Sequence, residues 1–161
     1  MTNIYIALEN IRSLYNVGAI FRTASFFGIY NIFLIGYSGM DLTVTGKPKL
    51  HEKLAKSALG SEKDLNTKTF ESTTAFIEYC RKQKINLFSI EQCSTSEPLQ
   101  SLSALENDTA IVFGNEVEGV SEEMLSNSNK IFEITKFGKH NSLNVTTACG
   151  IVLYQITKIL K

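Results

Sequence analysis

The sequence lacks the features that would place it in several common classes of protein. Its 161 residues include three cysteines, Cys80, Cys93 and Cys149, whose spacing fits neither a metal site nor a set of disulfide pairs. Reduced thiols are typical of cytoplasmic proteins, so we predict a cytoplasmic protein without a bound metal. No apolar run reaches the length of a membrane-spanning helix, and residues 1–4 do not begin a secretory signal. We therefore predict that no membrane is involved.

Charge of one sign is also lacking. Lys and Arg together number 16, as do Asp and Glu, so the formal net charge at pH 7 is zero. This balance argues against a strongly cationic protein that binds nucleic acid unaided, although a local basic patch is sufficient for RNA. The glycine-rich loops of common nucleotide-binding enzymes are absent, as is the His-Glu-x-x-His motif of zinc enzymes. These sequence signatures therefore identify neither class.

Short apolar runs alternate with amphipathic segments along the whole chain. The apolar runs predict strands, and the amphipathic segments predict helices. This alternation is typical of the α/β class, so we predict a mainly parallel sheet with helices on both faces, in a single domain spanning residues 1–161. The segment 38–49 is predicted to be a loop. Strands are predicted at 4–8, 30–35, 66–70, 85–90, 109–113 and 130–134, and helices at 16–27, 51–59, 72–82, 121–125 and the end of the chain.

The closing helix is predicted to be apolar on two flanks. It follows a loop that begins at Gly138, and Ser142 or Asn141 is predicted to cap its first turn. A helix with two apolar flanks needs two covers: a sheet can cover one flank, and a second subunit is a reasonable cover for the other. The first flank comprises Val145, Ala148, Cys149, Val152, Ile156, Ile159 and Leu160, and the second comprises Leu143, Thr147, Ile151 and Tyr154.

Glycines and polar residues follow three of the predicted strands. Open parallel sheets bind ligands at the carboxyl ends of their strands, so these three loops are candidates for one site. Each residue alone also has a purely structural interpretation: Asn16 or Ser142 as a helix cap, Arg22 as a surface arginine, and Glu116 as a turn carboxylate. The loops carry, in order, Asn16, Gly18 and Arg22; Gly114, Asn115, Glu116 and Gly119; and Gly138, Ser142 and Asn144.

Taken together and in order, the three loops resemble the three signature motifs of the SpoU/TrmH family, which are RNA ribose 2′-O-methyltransferases of the SPOUT class. The resemblance extends over nearly the whole chain. It implies an α/β fold with a deep C-terminal trefoil knot, a homodimer with each site near the interface, and a catalytic domain without the RNA-binding extension of many members. The matching stretches are Asn16-x-Gly18-x-x-x-Arg22-Thr23-Ala24, Phe113-Gly114-Asn115-Glu116-x-x-Gly119 and Gly138-x-x-x-Ser142-Leu143-Asn144-Val145.

The resemblance also implies a reaction: S-adenosylmethionine binds in the knot loops, and its methyl group moves to a ribose 2′-hydroxyl of tRNA or rRNA. The family assigns proton removal to Arg22, which is unusual because a guanidinium normally stays protonated. Two roles stay open: Arg22 loses its proton beside the sulfonium, or it holds a phosphate that takes the proton. The implied orienting residues are Asn16, Glu116, Ser142 and Asn144, and the implied cofactor contacts are Gly114, Ile134, Leu143 and Ile90.

One departure from the family pattern falls in the third motif. The family usually has Ile-Pro-Met where this chain has Ile134-Thr135-Lys136, so a proline that stiffens the turn is missing. Two alternatives to the methyltransferase remain: a non-catalytic RNA-binding or partner subunit that retains the knotted fold, and an ordinary doubly wound nucleotide-binding enzyme. Basic side chains are the candidates for phosphate contacts with RNA: Arg12, Lys47, Lys49, Lys53, Lys56, Lys136 and Lys139.

Overall fold

The computed structural model describes residues 2–42 and 48–160, and its centre is a sheet of seven parallel strands. The strands are β1 (Ile4–Glu9), β2 (Asn31–Ile35), β5 (Asn66–Phe70), β6 (Asn86–Ile90), β7 (Glu97–Pro98), β8 (Thr109–Phe113) and β9 (Lys130–Glu133). They lie in the order β5-β2-β1-β8-β6-β9-β7. Except for β7, each matches a predicted strand to within a residue.

Helices cover both faces of the sheet, as predicted. They are α1 (Leu14–Phe26), α2 (Leu54–Ala58), α3 (Thr73–Gln83), α4 (Glu122–Asn127) and α5 (Val145–Ile159). Successive strand residues point to opposite faces, and Ile6 and Leu8 pack in one apolar cluster while Ala7 packs in the other. The first cluster contains residues of α1, α2 and α5, and the second contains residues of α3 and α4. The two clusters therefore form the two layers of the core.

Two of the predicted helix caps are wrong by a few residues. Helix α1 is capped by Ser13, whose side chain accepts a hydrogen bond from the backbone of Asn16, so Asn16 lies inside the helix. Helix α5 is capped by Asn144 rather than Ser142 or Asn141. In both cases several neighbouring residues have side chains that suit a cap, and local preference does not choose among them. The displaced Asn16 side chain is thereby free to bond elsewhere.

The segment 38–49, predicted to be a loop, contains two short strands instead. Strands β3 (Met40–Leu42) and β4 (Pro48–Leu50) pair antiparallel, with Met40 opposite Leu50. The positions between them lie outside the described residues. This pair does not join the main sheet. A three-residue strand carries too little periodicity to be recognised from its sequence.

A buried carboxylate joins the end of β1 to the helices on one face. The Glu9 side chain is 1% exposed, and it accepts hydrogen bonds from the hydroxyls of Thr73 and Ser121 at 2.6 Å and from the backbone N–H of Ser121 at 2.9 Å. Thr73 begins α3, and Ser121 caps α4. A buried carboxylate needs such donors, so Glu9 fixes the N-termini of both helices relative to the carboxyl end of the sheet.

Candidate functional site

A cleft of about 520 Å³ opens at the carboxyl ends of three neighbouring strands. Its walls are the ends of three strands with the loops that follow them, and part of α5: residues 90–92 at β6, 113–119 at β8, 133–143 at β9, and Val145 and Ala148. Strands β8, β6 and β9 are adjacent in the sheet, so the loops that follow them meet at one edge. Ligands bind at this edge in open parallel sheets. Two of the three loops in which the sequence predicted a site, those after β8 and β9, line this cleft, whereas the loop after β1 does not.

The loop after β8 is held in one shape by Asn115. This side chain is 6% exposed, and its amide group donates to the carbonyl of Asn10 at 2.8 Å and to the hydroxyl of Tyr37 at 2.9 Å. Its carbonyl oxygen accepts from the backbone N–H groups of Val117 and Glu118, at 2.8 and 3.0 Å. Asn115 therefore joins three separate segments of the chain while turning its own loop.

Two glycines allow this loop to fold back tightly on itself. A Cβ atom at Gly114 would lie 2.2 Å from the carbonyl carbon of Gly119 and from the backbone nitrogen of Val120. Gly119 has a φ of +73°, a backbone conformation that residues other than glycine rarely adopt. Glu91, which follows β6, accepts a hydrogen bond from the Val120 N–H at 2.9 Å. Sequence reasoning missed Glu91, whose only signal is a carboxylate placed directly after a strand.

Glu116 connects the second motif to the first. Its carboxylate accepts hydrogen bonds from the backbone N–H groups of Arg12 and Ser13, at 3.0 and 3.1 Å, and from the Asn16 amide at 2.8 Å. Asn16 in turn accepts a bond of 3.5 Å from Asn144, which belongs to the third motif. A chain of side chains thus runs from Glu116 through Asn16 to Asn144 and brings all three motifs together.

These donors change the acidity of Glu116. Burial by itself raises the pKa of this carboxyl group, but hydrogen bonds from Arg12, Asn16 and Ser13 outweigh it, and the net pKa lies below the usual value. A hydrogen bond to the ionised form of a carboxyl group stabilises that form. Glu116 is therefore ionised at neutral pH.

We expect Glu116→Gln to lower the free energy of unfolding at pH 7, because glutamine would turn an amide donor toward other donors. The loss should be only about 1 kcal/mol, because solvent screens the charge at this exposed site. A carboxyl group with a depressed folded-state pKa stabilises the fold above its unfolded-state pKa of about 4.3, and this contribution is lost as the pH falls through the folded-state value.

Urea unfolding from pH 7 down to pH 3 measures this difference. Glu118→Gln is the matched control, because the Glu118 carboxylate makes no hydrogen bond to the described part of the chain. The difference between wild type and Glu116→Gln should shrink in acid, whereas the control should show no such trend. Parallel pH profiles for the two variants would contradict the assignment.

The third motif forms the outer arm of the cleft. Asn144 accepts hydrogen bonds from the backbone N–H and the hydroxyl of Thr146, in the first turn of α5 beside the cleft. The Lys136 ammonium donates to the Asn141 side chain at 2.9 Å and so joins the two limbs of the loop. This contact lies where the family pattern has proline and methionine, and it supplies a cross-link that the sequence did not predict.

The predicted cofactor contacts and two of the predicted orienting residues line the cleft. These are Ile90, Gly114, Ile134, Leu143, Glu116 and Ser142. Asn16 and Asn144 join the side-chain network at its edge. Ser142 is exposed and makes no hydrogen bond to any described residue.

Arg22 does not line this cleft. It is exposed, and it makes no hydrogen bond or ion pair with the residues that the structure describes. Helical spacing places Arg22 on the same outward side of α1 as Tyr15 and Phe26, which are 75% and 83% exposed. Helix α5 packs against α1 and exposes Ile151 and Tyr154. Within one chain, Arg22 therefore belongs to a largely apolar outer surface rather than to the cleft.

The predicted RNA contacts are distributed over several surfaces. Lys136 and Lys139 line the cleft, and Arg12 lies beside it through its backbone bond to Glu116. Lys53 and Lys56 are exposed at α2, and Lys49 lies in β4, whereas Lys47 lies outside the described residues. Their roles stay predictions.

Two predicted absences can be compared with the described residues 2–42 and 48–160. Within these ranges no group of His, Cys, Asp and Glu side chains has a geometry that could hold a metal ion. No helix in the same ranges is long and apolar enough to cross a membrane.

Comparison with known proteins identifies the family. The model of the SpoU rRNA Methylase family matches residues 3–154. An uncharacterized tRNA/rRNA methyltransferase of Archaeoglobus fulgidus is 28% identical over 151 residues, which cover 94% of this chain and 62% of the relative. A tRNA (guanosine(18)-2′-O)-methyltransferase of Borreliella burgdorferi is 25% identical over 154 residues, covering 96% of this chain and 66% of the relative.

The fold is shared as well. The crystal structure of an AdoMet-bound rRNA methyltransferase from Sinorhizobium meliloti matches with a TM-score of 0.85 at 23% identity, covering 99% of this chain and 57% of that one. The chain spans less than two thirds of the length of both relatives named above. Because the family model matches almost the whole sequence, the chain belongs to the SpoU rRNA methylase family.

Proposed function

We propose that this protein is an S-adenosylmethionine-dependent methyltransferase that methylates a ribose 2′-hydroxyl in tRNA or rRNA. The observation that carries the proposal is the chain of side chains from Glu116 through Asn16 to Asn144 beside the cleft. It joins three motifs that are far apart in the sequence, and the chain belongs to a methylase family. The names of the relatives agree, since one is a tRNA (guanosine(18)-2′-O)-methyltransferase and another is named as an uncharacterized tRNA/rRNA methyltransferase.

The cleft suits the proposed cofactor in size and chemistry. Its volume of about 520 Å³ lies in the range of small-molecule sites. Ile90, Ile134 and Leu143 offer apolar walls for an adenine ring, and the tight turn at Gly114 exposes backbone groups for hydrogen bonds. Glu91 and Glu116 also line the cleft, and their carboxylates give this part of it a negative potential that suits a sulfonium. The bound cofactor would supply an activated methyl group.

We propose that the active protein is a homodimer in which Arg22 of one subunit faces the cleft of the other. Tyr15 and Phe26 on α1, with Ile151 and Tyr154 on α5, leave apolar area exposed around Arg22. A second copy of the chain would cover this surface, and the two-fold symmetry of a homodimer would complete both sites equally. The placement of Arg22 away from its own cleft supports this arrangement.

In this dimer, Arg22 of one subunit would act on the ribose. The side-chain network around Asn16 of the other subunit, which holds the cofactor, would keep that ribose in place. Methyl transfer needs the 2′-hydroxyl in line with the methyl group and needs its proton removed. Arg22 serves either as the proton acceptor or as a clamp on a phosphate that accepts the proton. The 2′-hydroxyl itself restricts the substrate to RNA.

We further propose that the chain forms a single methyltransferase domain, that its C-terminal segment makes a deep trefoil knot, and that the protein acts in the cytoplasm. The seven strands from β1 to β9 form one sheet, which supports a single domain. The loops after β8 and β9 line the same cleft, as knot loops that hold a cofactor would. A crystal structure with an unthreaded C-terminal segment would contradict the knot.

Transfer of a labelled methyl group to RNA tests the proposed activity. The protein is incubated with labelled S-adenosylmethionine and with bulk tRNA or rRNA, and the RNA is digested to nucleosides. We expect label in a 2′-O-methylnucleoside. Absence of transfer to any RNA pool, with the cofactor bound, would count against catalysis. Weak or absent cofactor binding by calorimetry would favour the non-catalytic partner subunit instead.

A further inference from the structure

Phe137 is an almost fully exposed aromatic side chain. It is 94% exposed, the highest value among the large hydrophobic residues that the structure describes. It lies on the outer arm of the cleft, in the loop between β9 and α5. A single exposed apolar residue is common, so its surroundings decide whether it has a use.

The segment of the chain that carries Phe137 is basic. From residue 134 to the end, the chain carries four lysines and no acidic residue, whereas the preceding 133 residues carry 12 basic and 16 acidic residues. Phe137 is flanked by Lys136, Lys139 and His140, all of them exposed. Neither Lys139 nor His140 makes a hydrogen bond or ion pair with a described residue. The neutral net charge of the whole protein therefore hides a local cationic arm at the mouth of the cleft.

We propose that Phe137 stacks on a base of the substrate RNA next to the nucleotide whose ribose enters the cleft, while Lys139 contacts the adjoining phosphate. This inference rests on the proposed function. Unstacked RNA bases are commonly bound by aromatic faces, and each such contact contributes about 1–3 kcal/mol. An exposed ring between cationic side chains suits a base and its phosphate better than an apolar protein surface. Phe137 is then a positioning residue for the RNA.

The absence of tryptophan gives a direct test of stacking. Because the chain has no Trp, Phe137→Trp would place the single tryptophan of the protein on the arm, where its emission can be excited selectively over that of the tyrosines. Tyr30→Trp is the matched control, since Tyr30 is 46% exposed and precedes β2, so that it lies at the amino ends of the strands, opposite the cleft. A mixed-sequence single-stranded RNA and bulk tRNA should quench the fluorescence of Phe137→Trp and leave the control nearly unchanged. Equal responses of the two variants would overturn the inference.

Kinetics then separate stacking from apolar contact. We expect Phe137→Ala to lower kcat/KM for RNA by about 10- to 100-fold, mainly through KM, with less than about a threefold change in cofactor Kd. Phe137→Tyr should retain activity, and Phe137→Leu should resemble alanine because leucine has no π face. Retained activity in Phe137→Leu, or dissociation of a wild-type dimer by Phe137→Ala in sedimentation, would indicate a protein contact and overturn the inference.

Salt dependence tests the role of Lys139. Lys139→Gln should reduce the slope of log K for RNA binding against log salt by about 1, because one phosphate contact is lost. Lys82→Gln, on an exposed position near the end of α3, should leave this slope unchanged. Equal slopes for Lys139→Gln and wild type would remove Lys139 from the proposed contact.

The outcomes also distinguish this inference from the proposed function. Quenching of Phe137→Trp by RNA without methyl transfer would preserve the RNA contact and contradict the enzyme. Methyl transfer with no quenching and with normal kinetics for Phe137→Ala would preserve the enzyme and overturn the contact.

Discussion

Replacement of Arg22 by alanine is expected to reduce methyl transfer by roughly 10²–10⁴-fold, the range by which a positioned acid–base group contributes to a reaction. Arg22 is exposed, with no hydrogen bond or ion pair to a described residue. Its loss should therefore change the free energy of unfolding by less than about 0.5 kcal/mol. Cofactor affinity should also be unchanged, because Arg22 does not line the cleft of its own chain.

Transfer to RNA, calorimetry with S-adenosylmethionine and urea unfolding measure these three effects. Arg81→Ala is the matched control, since Arg81 lies on α3 and donates to Asn127, away from the cleft. Methylation by Arg22→Ala at the wild-type rate would contradict the assignment. Arg22→Lys separates the two open roles: a phosphate clamp keeps part of the activity with lysine, and its pH–rate profile should follow that of wild type.

Mixing two inactive variants tests whether Arg22 acts across the dimer. If Arg22 serves the partner subunit's cleft, a dimer of Arg22→Ala with a cleft-defective chain contains one intact site. Random pairing of equal amounts should then restore about a quarter of wild-type activity in a two-fold dimer. If Arg22 serves its own chain, the mixture should stay inactive. Gly114→Ala provides the cleft-defective chain, and Ile134→Asp replaces it if Gly114→Ala does not fold.

Gly114→Ala is expected to raise the Kd for S-adenosylmethionine by at least about 100-fold, or about 2.7 kcal/mol of binding free energy. The added Cβ would lie 2.2–2.3 Å from backbone atoms of Gly119 and Val120, so the loop after β8 must move. This loop is the cleft wall that also carries Glu116. Overpacking against backbone costs about 1–3 kcal/mol, so we expect the free energy of unfolding to fall by a similar amount.

Gly150→Ala provides the control for the same chemical change. A Cβ atom there would come no closer than 4.0 Å to Thr23, and the interior of helix α5 favours alanine over glycine by about 1 kcal/mol. Cofactor affinity by calorimetry should be unchanged in Gly150→Ala, and stability to urea should be equal or greater. Normal cofactor binding by a folded Gly114→Ala would show that the close packing of this loop does not shape the site.

Several parts of the fold could be predicted because their signals are local. Strand β8 spans the predicted residues, and α3 and α4, which Ser72 and Ser121 cap, begin within one residue of their predicted starts. Alternating apolar runs and helical periodicity are properties of a few consecutive residues. The sequence predicts Asn16 rather than Ser13 as the cap of α1, because several polar residues compete there. It does not predict the hairpin β3–β4, because these strands are too short to show a period.

The candidate site depended on contacts that no local pattern encodes. Glu116 bonds to the backbone of Arg12, 104 positions earlier, and Asn144 bonds to Asn16, 128 positions away. Asn115 was read as a motif residue, yet its hydrogen bonds to Asn10 and Tyr37 appear only in the folded chain. The roles of these residues stay predictions, whereas their meeting at one edge of the sheet is a property of the structure.

The sequence by itself determined the alternation of strands and helices, the two apolar layers and the order of the three motifs, because each depends on neighbouring residues. Only the tertiary structure decided that Glu116, Asn16 and Asn144 bond in a line, that Arg22 lies outside its own cleft, and that Phe137 lies on a cationic arm. The physical reason is that parallel pairing of β1, β8, β6 and β9 brings loops that are distant in the sequence to one edge of the sheet, where their polar side chains come within hydrogen-bond distance.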